Sequence, residues 1–319
     1  MGKFYFKLTR PNFLIAVSFG LAMLLLTLIA SPRQVSGAKP QQYAGPDTCA
    51  ACHEDATKAF QGTIHAQEGF TQRSDKGCET CHGPGAEHAE AGGDKAKIKQ
   101  IAALSAQEKS AICLQCHEEA SQASYLTGMH ARRNVDCTSC HSVHTSKSRA
   151  ALLKASTQSD TCFICHKAYR SKVQRSSHHP IREGKMSCSS CHNPHDGTNP
   201  KMVTANSVNE KCYECHAEKR GPFLHEHAPV RENCANCHDP HGTNHDKLLQ
   251  AKQPYLCQRC HFSGGHPGNM YDRSNTLAGS PLPVTGGTTI SSRAVERECK
   301  NCHSQVHGSN SFSGPVFGR

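Results

Sequence analysis

The chain has 319 residues; 36% are hydrophobic, a share that already includes 20 cysteines, 6% are aromatic and none is tryptophan. That is too little apolar side chain for a conventional core in a chain of this length, and 25 glycines with 16 prolines would by themselves point to disorder. The formal charge is +10, and residues 1–38, which carry four cations and no acid, supply four of it, leaving +6 for the rest.

The chain opens on Lys3, Lys7 and Arg10, followed by an uncharged apolar run from Phe13 to Ala30 and the small residues Ser36-Gly37-Ala38. This is the pattern of a secretory signal peptide, expected to span residues 1–38. The apolar run is only just long enough to cross a bilayer as an uncleaved anchor. No cysteine lies near the cleavage site, so lipid attachment is not expected.

From residue 39 on, every cysteine falls in one pattern. CAACH holds Cys49, Cys52 and His53; CETCH holds Cys78, Cys81 and His82; CLQCH holds Cys113, Cys116 and His117; CTSCH holds Cys137, Cys140 and His141; CFICH holds Cys162, Cys165 and His166. CSSCH holds Cys188, Cys191 and His192; CYECH holds Cys212, Cys215 and His216; CANCH holds Cys234, Cys237 and His238; CQRCH holds Cys257, Cys260 and His261; CKNCH holds Cys299, Cys302 and His303. CxxCH is the covalent c-type haem attachment motif. Its thiols add across the haem vinyl groups, and its histidine reaches the iron as the proximal ligand. Structural zinc pairs two CxxC units and needs no histidine after each. A thioredoxin-like site would occur once, and a disulfide framework has no use for the histidines. Ten covalently bound c-type haems are therefore expected. Their macrocycles supply the missing interior, so the apoprotein is expected to be largely unfolded. Their twenty propionates outweigh the basic charge and pair with lysines and arginines, so no nucleic-acid partner is expected.

Thirteen histidines lie outside the motifs, and ten haems closed on both sides by histidine need ten of them. A two-motif repeat selects a distal set: CxxCH, a lone histidine, a second CxxCH, then a histidine three to six residues on. It gives His65 and His88, His130 and His144, then His178 or His179 with His195, His225 or His227 with His241, and finally His266 and His307. Aligning His178-His-Pro-Ile-Arg-Glu183 on His227-Ala-Pro-Val-Arg-Glu232 selects His178 and His227 and leaves His179, His225 and His245 over. His195 follows His192 by three residues, one face of a helix, whereas two ligands of one iron stand on opposite faces of the ring. His195 is thus expected to serve a different haem from His192, and His144, His241 and His307 likewise.

First cysteines follow one another at 29, 35, 24, 25, 26, 24, 22, 23 and 42 residues, too close for separate domains around each haem. Ser105-Ala-Gln-Glu108 and Ser207-Val-Asn-Glu210 read as capping boxes for motif helices, Asp47 as a cap for the first motif, and Lys95 to Leu104 as a further short helix. Asn193-Pro-His-Asp-Gly197 and Asp239-Pro-His-Gly242 read as turns. No strand is expected, and residues 272–292 form the longest haem-free loop. The fold class is thus mainly α and irregular, short helices and loops wrapped around a stack of haems.

CETCHGPGAEH (78–88), HHPIREGKMSCSSCHNPH (178–195), EHAPVRENCANCHDPHG (226–242) and CHSQVHGSNSFSG (302–314) resemble the periplasmic decahaem cytochromes of outer-membrane porin–cytochrome conduits, the MtrA/DmsE type. The likeness covers nearly the whole mature chain. It implies an elongated haem stack with bis-histidine ligation throughout and two pentahaem halves, here 39–170 and 171–319. It also implies a periplasmic protein held at the outer membrane by a β-barrel porin, an extracellular multihaem cytochrome as partner, and periplasmic or inner-membrane carriers feeding the other end. The leading function is an electron conduit across the outer membrane. A soluble periplasmic shuttle to a terminal reductase shares every haem feature. A multihaem reductase needs an open iron position, which ten CxxCH motifs and a full ligand count argue against.

Overall fold

The computed structural model of the chain describes residues 42–67, 76–119, 122–148, 150–261, 297–312 and 314–318. The segment expected to be a signal peptide, the expected 272–292 loop and His266 lie outside these residues. Among the described residues there are short α-helices, the longest being Ala106–Leu114, many single turns of 3-10 helix, and no strand beyond isolated bridges. The chain is mainly helical and irregular, the fold class its sequence implies.

The helices start where side chains take up their first free amides. Ser105 accepts from Glu108 N while Glu108 accepts from Ser105 N at 2.8 Å, a complete capping box. Ser207 accepts from Glu210 N but receives no bond back from the Glu210 side chain, so it is a simple cap and not the expected box, and Thr157, not singled out from sequence, accepts from Asp160 N. Two further expectations are corrected. Asp47 caps nothing: the first motif helix, Pro46–Ala50, begins after Gly45, and proline takes the first helical position. Lys95 to Leu104 is two separate turns, Lys95–Lys97 and Ile101–Ala103, because the chain is extended at Ile98.

Only four hydrophobic side chains are buried among the described residues: Tyr125, Leu152, Val173 and Ala251. Polar groups do the stapling. Buried Glu79 of the second motif accepts from the amides of Ala44, Gly45 and Gly85 at 2.7–2.9 Å, tying the first described segment to the second motif. Asn209 beside the seventh motif donates to the carbonyls of Val230 and Arg231 and accepts from Cys234 N of the eighth.

A loop recurs after three even-numbered motifs. Each places two residues in the left-handed region: Ala151 and Leu152 (φ 57° and 50°), Lys201 and Met202 (both 56°), Lys247 and Leu248 (57° and 60°). The next residue then bridges back to the motif histidine: His141 with Leu153, His192 with Val203, His238 with Leu249. Non-glycine residues rarely adopt this backbone; its triple recurrence ties it to what the loop holds.

Candidate haem-iron sites

We number the sites 1 to 10 by motif. In the first nine, the motif histidine faces a second imidazole. The pairs are His53–His88, His82–His144, His117–His65, His141–His195, His166–His130, His192–His241, His216–His179, His238–His307 and His261–His227, with ring centroids 6.0–6.4 Å apart. Two imidazoles bound to one metal through bonds of about 2.0 Å, each with its ring centre about 1.1 Å behind the nitrogen, stand about 6.2 Å apart. Each pair therefore leaves the gap of one iron and its porphyrin plane, so the residues fit the group. A bound haem supplies one-electron exchange at its iron. Interplanar angles run from 8° at His192–His241 to 88° at His65–His117.

The pairing is crossed and periodic. His192 faces His241, while His195, three residues on, faces His141 of an earlier motif. Sites 2, 4, 6 and 8 take their second histidine from just after the next even-numbered motif. Sites 3, 5, 7 and 9 take theirs from the segment between the two preceding motifs. His266, the remaining member of the expected distal set, lies outside the described residues.

Backbone carbonyls orient these rings by accepting from Nδ1, which turns Nε2 into the gap. In sites 4, 6 and 8 the acceptor is the first left-handed residue of the recurrent loop: Ala151 O for His141, Lys201 O for His192 at 2.9 Å and Lys247 O for His238 at 2.7 Å. Val316 O, next to left-handed Phe317, serves His303. Turns after the even motifs act twice. The turn that presents His195 also aims Pro194 O at His130; the turn that presents His241 aims Pro240 O at His179; the segment that presents His307 aims Val306 O at His227. The apolar pairs in these three loops, Leu152-Leu153, Met202-Val203 and Leu248-Leu249, stand ten to twelve residues after the motif histidine, and nothing in their side chains announces the left-handed backbone.

One expected ligand is displaced. His179, not His178, faces His216. The His178 ring is occupied on both nitrogens, by Arg175 O and by Glu183 Oε1 at 3.0 Å. The register is set by main-chain bridges: Ser177 bridges Thr243 and His225 bridges Ser309, and in each case the histidine two residues on enters a site. Ser177 thus matches His225, and His179 matches His227. The sequence alignment followed the prolines, which stand one residue out of step. His225 lies in a bridge, and His245 sits at Thr243, its amide donating to that hydroxyl.

Burial holds the imidazoles of His65, His82, His195, His227 and His241 below their ordinary range and takes His307 to about 4. These rings stand neutral, the form in which histidine binds a metal.

The cysteines order the sites in space. First cysteines lie close together within each unit of two motifs: Cys49 by Cys78, Cys113 by Cys137, Cys162 by Cys188, Cys212 by Cys234 and Cys257 by Cys299. Second cysteines approach between units: Cys81 near Cys116, Cys140 near Cys165, Cys191 near Cys215 and Cys237 near Cys260. Sites adjacent in sequence are therefore adjacent in space, from 1 through to 10.

Residues 130–171, 178–221 and 227–265 match the doubled CXXCH motif family, and residues 85–142 match cytochrome c554 and c-prime. The chain is 40% identical over 306 residues to the multihaem cytochrome MtrA of Shewanella baltica (strain OS185), covering 91% of this chain and 88% of that one. It is 26% identical over 133 residues to the cytochrome c-type protein NrfB of Escherichia coli O6:H1 (strain CFT073), covering 40% of this chain and 70% of that one. The undecahaem cytochrome from the S-layer of Carboxydothermus ferrireducens aligns at 18% identity over 77% of this chain and 33% of its own, with a TM-score of 0.14, too low to carry an argument. Repeated CxxCH motifs, iron-width histidine pairs and identity along nearly the whole chain converge: the chain belongs to the MtrA family of multihaem c-type cytochromes, which are electron-transfer proteins.

Proposed function

We propose that the chain is a ten-haem conduit carrying electrons across the outer membrane. In this reading each facing pair brackets one iron and His266 completes site 10. The distal set is then His65, His88, His130, His144, His179, His195, His227, His241, His266 and His307. The observation that carries the reading is the facing pair itself, present at nine motifs in spatial succession. Irons closed on both sides have no position for a substrate, so the chain relays electrons and does no chemistry of its own. Electron tunnelling falls steeply with distance, and neighbouring sites whose cysteines lie close together favour hopping along the row. Imidazole on both sides keeps potentials low, since methionine is the ligand that raises them.

The mature protein, freed of residues 1–38, stands in the periplasm and inserts into an outer-membrane β-barrel porin; barrels of sufficient strand number exist. Periplasmic or inner-membrane carriers meet one end and an extracellular multihaem cytochrome the other. The residues before and after 170 form the two pentahaem halves of the family plan.

The test is reconstitution with a candidate porin in liposomes that enclose a reduced dye. The expected result is oxidation of the enclosed dye by ferric iron added outside, dependent on both proteins. Dye that stays reduced with the complex assembled points to a soluble shuttle. Carbon monoxide binding to the reduced protein at many haems points to open irons and a catalyst.

A further inference from the structure

The turn after the eighth motif carries an aspartate where its sister after the sixth carries an asparagine. Both present a second histidine, His241 to site 6 and His195 to site 4. In the sister turn Asn193 Oδ1 accepts only the main-chain amide of His195, at 3.1 Å. At site 6 the position is Asp239. Its Oδ1 accepts the His241 amide at 3.0 Å and also lies 3.3 Å from the Nδ1 of the ring. Its other oxygen takes Lys172 Nζ at 2.6 Å. Tyr169 closes the cluster, its ring 4.5 Å from His241 and under the Lys172 ammonium.

Where other paired histidines have a recorded Nδ1 acceptor, it is a main-chain carbonyl. The one other carboxylate near such a nitrogen among the described residues, Glu218, is 3.8 Å from His216, beyond hydrogen-bond reach, and more than half exposed. A carboxylate on the far nitrogen makes a ligating imidazole a stronger electron donor, which favours ferric over ferrous iron.

We propose that Asp239 tunes site 6: by accepting the Nδ1 proton of His241 it holds the iron between His192 and His241 at a lower reduction potential than the iron of site 4. The change is a one-electron exchange in which the electron comes from or goes to a neighbouring site, with no proton transferred. Lys172 keeps the carboxylate in place and limits its effect by neutralising part of its charge. Electrons crossing the middle of the row then meet a step. This rests on the bis-histidine reading of the sites.

Three variants of the haem-loaded chain test it by potentiometric titration followed in the haem absorbance: Asp239→Asn, Asn193→Asp and Lys172→Met. The first two exchange residues that the protein itself uses in the same turn, so both are expected to fold. Asp239→Asn is expected to move about a tenth of the absorbance change upward, by on the order of a tenfold shift in that site's equilibrium, 59 mV for one electron. Asn193→Asp is expected to move a similar fraction downward, and Lys172→Met to move site 6 further down. An Asp239→Asn curve that overlies that of the unmodified protein overturns the proposal. So does high-spin haem in that variant, which marks Asp239 as a holder of His241 and nothing more. The ligation reading fails separately, if the unmodified protein itself shows high-spin iron at these sites.

Discussion

At the scale of single residues, the choice between His178 and His179 shows what decides a ligand. Both have Nδ1 on a carbonyl, Arg175 O for His178 and Pro240 O at 2.8 Å for His179, but only the His179 ring faces His216, whereas Nε2 of His178 is taken by Glu183. His178 is held by Glu183, whose exposed carboxyl is taken down to about 2, first by the His178 hydrogen bond and then by Arg182. A depressed carboxyl contributes its contact above its ordinary value of 4.5 and loses it as pH falls toward 2, so at neutral pH the Glu183 carboxylate is ionised. His179→Ala is expected to leave one haem in about ten high-spin and open to carbon monoxide, whereas His178→Ala leaves the low-spin spectrum unchanged; the reverse outcome would restore the alignment's choice. The motif histidines and seven of the second histidines that face them could be picked out from spacing alone, and His227 once the alignment had chosen it over His225. Position 178/179 could not, because the register there is written in a bridge between Ser177 and Thr243, residues 66 apart, and not in the local His-Pro pattern.

At the scale of elements, the recurrent left-handed loop is the part the sequence concealed. Ala151-Leu-Leu, Lys201-Met-Val and Lys247-Leu-Leu look like ordinary apolar pairs, and nothing in composition announces a positive φ. Yet that backbone turns a carbonyl onto the motif histidine and sends the next residue into its bridge. Left-handed non-glycine residues cost on the order of 1–3 kcal/mol each, and here the cost positions a histidine that faces a second imidazole. Lys201 is exposed, so substituting it tests the backbone with little change in packing. Lys201→Val, β-branched and hostile to positive φ, is expected to lower unfolding free energy by about 1–3 kcal/mol in guanidinium titrations. Lys201→Gly, free in that region, is expected to match or slightly exceed the unmodified protein. Equal midpoints for valine and glycine would show that the conformation is not required. The helix caps were the opposite case: Ser105 and Ser207 were legible because a capping pattern is local.

At the scale of the molecule, the histidine pairs are links. Sites 2, 4, 6 and 8 each face a histidine from just after the motif two further on, and at sites 4, 6 and 8 the same segment braces the second histidine of the following site. His141–His195 straddles residue 170 in the same way that His82–His144 straddles residue 125 and His192–His241 straddles residue 223, so the linkage runs through the middle of the chain without a break. The C-terminal segment makes this testable. It contributes His307 to site 8, Val306 O to the His227 ring of site 9 and Val316 O to the His303 ring of site 10. Deleting residues 304–319 removes no attachment motif, so the haem content is expected to equal that of the full chain. The damage is expected at a distance: site 8, whose cysteines lie more than 60 residues before the deletion, loses its second ligand and becomes high-spin, and the histidines of sites 9 and 10 lose their braces but keep their partners. Spectra of the truncated protein should therefore show one new carbon-monoxide-binding haem, and a site-specific probe should place it at His238. A signal confined to His303 would mean that each motif closes its own iron locally, and the chain of borrowed ligands would be wrong.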